Sequence, residues 1–446
     1  MDNYNLLSNK YDTFIYEGYK IENNNSKTII TFDFNIPNLT HFYPTLELKE
    51  FKNDTFTNYL IFHIGLVELI SYWKCTCSKN VIIKAGYLDS DQITFFKKLY
   101  YYGLGELFYR NNITLSYNDF MNIKCSSNKT EIKYPEYNGI GNLIPTGGGK
   151  DSNVTLEILE SENNINNPFI INPKDVNIQC AKIAGYKDDK IITIKRTIDK
   201  NLIDLNNKGF INGHTPFSAL VAFVSYLTAY TNNKKYIILS NESSANESNV
   251  EGTKINHQYS KTYEFENDFN NYTNKYFKIN IKYFSLLRPL SEYQIALLFS
   301  NYKKYHQIFK SCNVGSKEKP WKWCCNCPKC LFVYIILSPF LYKDKLVEIF
   351  KEDLFTKKEL LKIFIELTGN GETKPFECVG TYSEVNYALT QVINKTKNLP
   401  YLLEYYKEHY KLEDETIKPE KNWNNENNLE PKFVNLLKGE LEKYVK

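Results

Sequence analysis

One glycine-rich hexapeptide contains the residues of this sequence with the most evident chemistry. It reads Gly147-Gly148-Gly149-Lys150-Asp151-Ser152, after a short apolar run and before a helical pattern. Glycines let backbone N–H groups approach a phosphate closely, and the dipole of a following helix favours negative charge. The hexapeptide therefore predicts a phosphate-binding loop. The plainer alternative is a glycine-rich turn with Asp151 or Ser152 as a helix cap.

Spacing separates this loop from two common phosphate-binding loops. A Walker A loop would need glycine at Ile144 and Ser or Thr at Asp151, and a dinucleotide fingerprint would need glycine at Ser152. Residues 146–152 instead resemble the [ST]-G-G-x-D-S loop of PP-loop ATP pyrophosphatases, with one extra glycine. The resemblance implies cleavage of ATP between its α and β phosphates. It also implies that the hexapeptide, including Lys150 and Ser152, binds pyrophosphate, with Asp151 near Mg²⁺.

A cysteine cluster provides the second chemical signal. Its spacing, C-x11-C-x2-C-x2-C, is formed by Cys312, Cys324, Cys327 and Cys330, with Cys325 out of register. Four thiolates at such spacing can close a tetrahedral Zn²⁺ site. A similar cluster follows the nucleotide-binding sheet in the PP-loop enzyme 7-cyano-7-deazaguanine synthase, so we expect structural zinc. Unmetallated thiols and an iron–sulfur cluster remain the alternatives.

Five further segments, taken together, resemble a single family. They read S-N-E-x-S-A-x-E-x-N from Ser240, N-H-Q-x-S-K from Asn256, F-S-L-L-R-P-L-S-E from Phe284, W-C-x-x-C-P-K-C-L-F from Trp323 and K-P-F-E-C-V-G from Lys374. The set is similar to the MurL family of UDP-N-acetylmuramoyl-L-alanyl-L-glutamate epimerases. The resemblance extends over about residues 143–380 and hardly reaches the last part of the chain.

The MurL resemblance implies an ATP-dependent epimerase of peptidoglycan precursor synthesis. Its substrate would be UDP-MurNAc-L-Ala-L-Glu, and its products UDP-MurNAc-L-Ala-D-Glu, AMP and pyrophosphate. Adenylation removes the charge of the terminal carboxylate, so the adjacent Cα proton can leave to a base and return on the other face. ATP and Mg²⁺ are the implied cofactors, since Mg²⁺ bridges phosphates and offsets their charge.

Three residues are candidates for the base that transfers this proton. We favour His257 as the base because the ordinary pKa of histidine suits proton transfer near neutral pH. Lys261 and Cys378 are its rivals, and Cys378 would need a lowered thiol pKa to act as a thiolate. Asp151 is expected to contribute to catalysis through Mg²⁺.

Other polar residues are expected to bind the ligands. Gly213 and His214 are placed near the ribose or α-phosphate, and Asn241, Glu242 and Glu247 near Mg²⁺ or the substrate. Arg288 suits a bidentate contact with a carboxylate or phosphate; a surface ion pair is the alternative.

The elements that must position these residues indicate an α/β protein. After about Gly139, short apolar runs alternate with helical patterns, which predicts a parallel sheet with helices on both faces, of the PP-loop (adenine nucleotide α hydrolase-like) type. We divide the chain into an N-terminal α+β domain (1–138), a PP-loop nucleotide-binding domain with the cysteine cluster (139–335) and a helical C-terminal region (336–446). Within the first domain, the alternating segment Lys27–Ile36 predicts a strand.

Composition and charge limit the classes of partner and the location that we expect for this chain. Of 446 residues, 42% are hydrophobic and 24% charged, which is typical of a folded globular chain. The net charge of +4 is spread thinly, without a basic block that would follow a nucleic-acid backbone. Apolar stretches are shorter than the ~20 residues that span a bilayer, and the first residues lack a signal-peptide layout. We therefore expect a cytoplasmic protein without nucleic-acid binding or membrane insertion.

Two other functions stay open at this point. One is a different PP-loop carboxylate-adenylating activity, which forms an amide or a nitrile or modifies tRNA. The other is a zinc-binding module without catalysis, against which the intact Asp151 and Ser152 argue.

Overall fold

The computed structural model describes residues 3–24, 26–250, 252–414 and 419–445. The strands are β1 Thr13–Asn24, β2 Lys27–Ile36, β3 Thr40–Phe42, β4 Thr45–Lys49, β5 Asn80–Ile83, β6 Asn122–Cys125, β7 Asn142–Pro145, β8 Asn166–Ile171, β9 Ile192–Thr197, β10 Tyr236–Leu239 and β11 Lys282–Ser285. The helices are α1 Asn3–Lys10, α2 Thr55–Glu68, α3 Ile70–Trp73, α4 Ser90–Gly103, α5 Gly105–Arg110, α6 Lys150–Ile158, α7 Asp175–Ile183, α8 Lys200–Asn207, α9 Phe217–Thr231, α10 Tyr263–Tyr276, α11 Glu292–Asn301, α12 Pro328–Leu337, α13 Lys343–Phe350, α14 Leu361–Leu367, α15 Tyr382–Lys395, α16 Tyr401–His409 and α17 Pro431–Glu442.

The five strands from β7 onward form a parallel part of the sheet, and the glycine loop follows the first of them. Their order is β11-β10-β7-β8-β9, with every neighbouring pair parallel. Numbered along the chain and read from β9 to β11, this is the order 3-2-1-4-5, so the direction of winding reverses between β7 and β10. In open α/β sheets, ligands bind at the carboxyl ends of the strands where this reversal occurs. The predicted α/β class with a parallel sheet is confirmed.

The N-terminal strands extend the same sheet. β1, β2 and β4 pair antiparallel in turn, β5 and β6 add parallel to β1, and β3 pairs with β2. β4 then pairs antiparallel with β9, opposing Leu46 to Arg196. The described strands therefore form one mixed 11-stranded sheet.

Both faces of the parallel strands are covered by helices. Successive side chains of a strand point to opposite faces. Leu143 and Ile237 pack into one buried core with α2, α9 and α10. Their neighbours Ile144 and Ile238 pack into a second core with α6, α11 and α12. This arrangement confirms the helices predicted on both faces.

The C-terminal region is helical, as predicted, and begins with a buried helix. From Leu331 to Leu337, the side chains of α12 are almost completely buried in the second core. Helices α13 to α17 follow it, and the aliphatic and aromatic residues of α13–α17 extend that core. In the part of the chain that the structure describes, no helix is long and apolar enough to cross a membrane.

Candidate active site

The glycine loop connects β7 to α6 at the point where the winding reverses. Gly148 has a φ of +79°, a left-handed conformation that favours glycine. A Cβ at Gly149 would lie 2.7 Å from the Ser311 hydroxyl. The Ser152 hydroxyl accepts a hydrogen bond from the Gly148 N–H (3.2 Å) and donates one to the Gly149 carbonyl (3.1 Å). The loop is thus held in a compact turn at the start of the helix.

This loop forms one wall of a cavity of about 440 Å³ at the carboxyl ends of β7 and β10. Such a volume is in the range of ~300–1,000 Å³ typical of small-molecule sites. The polar residues that line it include Thr146, Gly147, Gly149, Asp151, Ser152, Asn177, Ser240, Asn241, Glu242, Lys261, Lys310, Ser311, Asn313, Lys329 and Cys378. The cavity brings together the loop, Asn241, Glu242, Lys261 and Cys378.

The Lys150 side chain points beneath the loop and is absent from the cavity lining. It is completely buried and forms ion pairs with Asp151 and Glu292. Burial lowers the pKa of Lys150, but the two carboxylates outweigh it and raise the pKa well above the ordinary value. Burial raises the pKa of Glu292 above its ordinary value, against the opposing effect of Lys150. Lys150 therefore holds Asp151 in place, and its ammonium contacts these two carboxylates outside the cavity lining.

A lysine and a cysteine meet at the opposite wall. Lys261 Nζ lies 3.0 Å from Cys378 Sγ, and the Lys329 ammonium donates to the Cys378 carbonyl. Burial alone raises the pKa of the thiol, but Lys261, His257 and Lys329 outweigh it and lower the pKa of Cys378 to about 6. Burial lowers the pKa of Lys261, whereas Cys378, Glu242 and Asp151 raise it above the ordinary value. The site therefore contains a thiolate beside an ammonium at neutral pH.

His257 belongs to a buried group next to this pair. Its Nδ1 lies 2.5 Å from Glu106 Oε2, and its ring packs against that of His214, with centroids 4.1 Å apart. Burial lowers the pKa of His257, but Cys378 and Glu106 raise it to about 9. Burial, together with His257, lowers the pKa of His214 to about 3. His257 is thus a cation and His214 is neutral at physiological pH.

Glu106 is the residue of this group that the sequence motifs did not indicate. It lies on α5 of the N-terminal region, with only 7% of its surface exposed. The surrounding sequence, Gly-Glu-Leu-Phe-Tyr-Arg, has no recognisable motif. An acidic residue next to Leu107 and Phe108 is the one feature of this segment that could have drawn attention to Glu106.

Several expected ligand-binding residues lie outside the cavity lining. Gly213 packs on α5, where an added Cβ would lie 3.3 Å from Leu107, and His214 contacts His257. They precede α9, which begins at Phe217, by four and three residues. Glu247 pairs with the buried Lys374. The structure gives these residues partners within the protein.

Arg288 is completely buried behind the cavity wall. Its guanidinium donates to the carbonyls of Glu242 (2.8 Å) and Lys261 (2.6 Å) and pairs with Glu266 (3.1 Å). Both carbonyls belong to residues that line the cavity. Arg288 therefore fixes the backbone of the wall, in place of the expected direct contact with a carboxylate or phosphate ligand.

The four cysteines converge on one point. Their Sγ atoms are 3.9 Å (Cys312–Cys327), 3.8 Å (Cys324–Cys330) and 3.5 Å (Cys327–Cys330) apart. Tetrahedral zinc with Zn–S bonds of about 2.3 Å requires sulfur separations of about 3.8 Å, so the donor set fits this ion. The N–H groups of Gly315 and Cys324 donate to Cys312 Sγ, which suits a thiolate ligand. Cys325 turns away, toward the Phe350 carbonyl.

Two family models cover most of the chain. The MurL N-terminal domain matches residues 6–286, and the MurL C-terminal domain matches residues 308–415. The chain belongs to the MurL family. This confirms the resemblance noted in the sequence.

Curated relatives of this MurL-family chain are named UDP-N-acetyl-alpha-D-muramoyl-L-alanyl-L-glutamate epimerase. The protein from a Micromonospora species is 34% identical over 331 residues, 73% of each chain. That of Xanthomonas oryzae pv. oryzae is 31% identical over 340 residues, 75% of this chain and 74% of the relative. That of Salinispora tropica is 33% identical over 334 residues, 73% of this chain and 71% of the relative. The chain is accordingly an enzyme of the epimerase class.

Both MurL matches contribute to the cavity and its surroundings. Glu106, His257 and Lys261 lie in the N-terminal match, and Lys329 and Cys378 in the C-terminal match. The group around Cys378 is therefore assembled from both parts of the family architecture.

Proposed function

We propose that this chain is an ATP-dependent epimerase that acts on UDP-MurNAc-L-Ala-L-Glu. The enzyme adenylates the terminal L-Glu carboxylate with release of pyrophosphate and inverts its α carbon. Water then hydrolyses the acyl adenylate to UDP-MurNAc-L-Ala-D-Glu, used in peptidoglycan precursor synthesis, and AMP. The named activity of the relatives supports the substrate and the epimerisation. We assign this reaction to the cytoplasm.

One observation supports the proposal most strongly: a glycine loop suited to phosphate and a thiol suited to proton transfer lie in the same cavity. The glycine loop forms one wall, and the Lys261–Cys378 pair forms another. Adenylation and proton transfer involve neighbouring atoms of the substrate, the carboxylate and its Cα. A single cavity that contains a glycine loop for ATP and a thiolate therefore suits this reaction. The carboxylate of the substrate is adenylated first, and the proton on the adjacent Cα is then removed.

In the first step, the loop amides and the Ser152 hydroxyl bind the leaving pyrophosphate at the start of α6. Asp151 and Glu242, the carboxylates among the lining residues, would hold Mg²⁺. Burial raises the pKa of Asp151, but Lys150 and Lys329 outweigh it and lower the pKa, so Asp151 is ionised. Mg²⁺ supplies charge neutralisation between the phosphate groups.

In the second step, we assign proton abstraction to Cys378. His257, the base favoured from sequence, is protonated at neutral pH because Glu106 and Cys378 raise its pKa to about 9. The Cys378 thiol, with a pKa of about 6, is ionised under the same conditions. Inversion requires a proton to be delivered to the other face. Lys261 and Lys329 both contact Cys378 and line the cavity, and we assign this delivery to Lys261, whose Nζ lies 3.0 Å from the sulfur.

The cysteine cluster is proposed as a structural zinc site that holds part of this wall. Lys329 lies between the ligands Cys327 and Cys330, and its ammonium donates to the Cys378 carbonyl. A closed four-thiolate site leaves no position for substrate or water. Zinc would therefore act by ordering the segment that carries Lys329.

Product analysis tests the proposal. Purified protein with ATP, Mg²⁺ and UDP-MurNAc-L-Ala-L-Glu should form AMP and pyrophosphate in step with the D-Glu product. Asp151→Asn should lower both rates, whereas Asp188→Asn, on the surface, should change neither. Formation of ADP, or epimerisation at the full rate without ATP, would overturn the proposal.

A further inference from the structure

Glu106 stands directly behind His257, on the side away from the cavity lining. It is the second residue of α5, and its carboxylate accepts from Arg110 Nε at 2.5 Å through Oε1 and faces His257 Nδ1 at 2.5 Å through Oε2. Burial raises the pKa of Glu106, but His257 outweighs it and lowers the pKa. An ionised carboxylate therefore contacts one nitrogen of the imidazole ring.

His257 in turn is one of the groups that lower the pKa of the Cys378 thiol, and Cys378 raises the pKa of the imidazole. Because Nδ1 is engaged by Glu106, the ring has Nε2 free for the sulfur. A carboxylate that orients an imidazole next to a nucleophile or base fixes its tautomer and stabilises its protonated form. Glu106, His257 and Cys378 are arranged in this way, although they are far apart in sequence.

We propose that Glu106 is a positioning residue for proton transfer: it orients His257 and keeps it protonated, so that Cys378 is held as a thiolate. This inference rests on the proposed function and extends it to the N-terminal region. The charged and titratable groups around Cys378 are Lys261, Lys329 and His257, with Glu106, His214 and Asp151 beyond them. Neutralising Glu106 would leave the two lysines as the cations around the thiol.

The same group has a different possible use as a metal site. The ligand atoms of Glu106, His214 and His257 lie within 4.8 Å of one another. However, Glu106 and His257 contact each other directly, which commits one ligand atom of each to a hydrogen bond. The buried ammonium of Lys261, close to Cys378, adds a positive charge that disfavours a cation. The contacts therefore favour a proton-transfer role.

Alkylation of Cys378 at varied pH tests this proposal without the epimerase reaction. Iodoacetamide labelling of the Cys378 peptide is followed by mass spectrometry between about pH 5 and pH 9, because the alkylation rate follows the thiolate fraction. We expect Glu106→Gln to raise the apparent thiol pKa by at least about one unit, which lowers the thiolate fraction, and with it the labelling rate at pH 6, at least about fivefold. Glu106→Asp, which keeps the charge, should restore much of that rate.

Arg110→Gln is the matched control, since it removes the other partner of Glu106 and leaves the contact with His257. It should label like the wild type. In turnover assays, Glu106→Gln should lower kcat and shift the acidic limb of the pH profile upward, with an unchanged KM for ATP. Because labelling needs neither ATP nor substrate, it remains decisive if no epimerisation occurs.

Two results would overturn the inference. One is a labelling profile for Glu106→Gln that coincides with that of the wild type. The other is a metal ion that is lost on Glu106→Gln while the zinc content of the cysteine cluster stays intact.

Discussion

The Lys261 ammonium lies 3.0 Å from the Cys378 sulfur, although 117 positions separate the two residues in sequence. Lys261 ends a short 3-10 turn after β10, and Cys378 lies in a loop between α14 and α15. Both line the cavity that begins at the glycine loop. The contact places a thiol and an ammonium in the same cavity as the glycine loop, and several of the predictions below depend on it.

Replacement of Cys378 by Ser should separate the two steps of the reaction. A serine hydroxyl remains protonated at neutral pH, so epimerisation should fall by about 10²–10⁴, the usual contribution of a positioned base. Substrate-dependent release of pyrophosphate should persist, as measured by a coupled phosphate assay beside chiral analysis of the glutamate. Cys125→Ser, in the distant strand β6, is the control. Equal epimerisation by Cys378→Ser and wild type would contradict the assignment.

The pH dependence of kcat/KM should show an acidic limb set by Cys378. Below a pH of about 6 the Cys378 thiolate is protonated, and activity falls as pH decreases. Deprotonation of His257 above a pH of about 9 should leave activity high, because Cys378 is then ionised without it and the pKa of Lys261 lies above its ordinary value. Initial rates in a series of buffers at constant ionic strength measure the profile. A rate that stays constant down to about pH 4 would show that no group with such a pKa controls the reaction.

Zinc content should distinguish two neighbouring cysteines. Cys327→Ser removes a predicted ligand and should abolish binding of about one zinc per chain and lower the melting temperature. Cys325→Ser should retain the metal, because its Sγ contacts the Phe350 carbonyl instead. Metal analysis by mass spectrometry of both purified variants provides the measurement. Full zinc content in Cys327→Ser would refute the assignment.

Arg288→Met should affect stability more than ligand binding. The substitution leaves Glu266 buried without its cation and frees two carbonyls, which costs about 3–5 kcal/mol for a broken buried pair. Urea denaturation measures this loss. Lys20→Met removes an exposed pair with Glu22 and should change the free energy of unfolding by less than about 0.5 kcal/mol. Unchanged stability of Arg288→Met with a higher KM for substrate would instead indicate a direct contact.

Patterns among residues that are near each other in sequence predict individual strands and the cysteine cluster of this protein. The alternating segment Lys27–Ile36 is strand β2, and the apolar run before the glycine loop is β7. The four cysteines converge as their spacing predicts. In each case, neighbours in sequence determine the geometry. The division into three domains remains a prediction, while the structure shows that one sheet passes through the first two regions.

The protonation states of side chains at the candidate site depend on residues that are distant in sequence, so patterns among neighbouring residues do not predict them. The type of residue at position 257 suggested a neutral base, but Glu106, 151 positions away, holds the imidazole as a cation. Arg288 shows the same limitation. Its multiple hydrogen bonds match the chemistry expected of arginine, whereas its partners are carbonyls and a carboxylate of the protein itself. Residue type indicates the chemistry of a group, and the tertiary fold determines its partner.

Solvent deuterium at the glutamate α carbon tests the central claim most directly. The wild-type protein is incubated with ATP, Mg²⁺ and UDP-MurNAc-L-Ala-L-Glu in D₂O, and the product is analysed by NMR and mass spectrometry. We predict D-Glu that carries deuterium at Cα, formed together with AMP and pyrophosphate. Complete conversion to D-Glu that retains the original hydrogen at Cα would contradict proton transfer through Cys378 and Lys261.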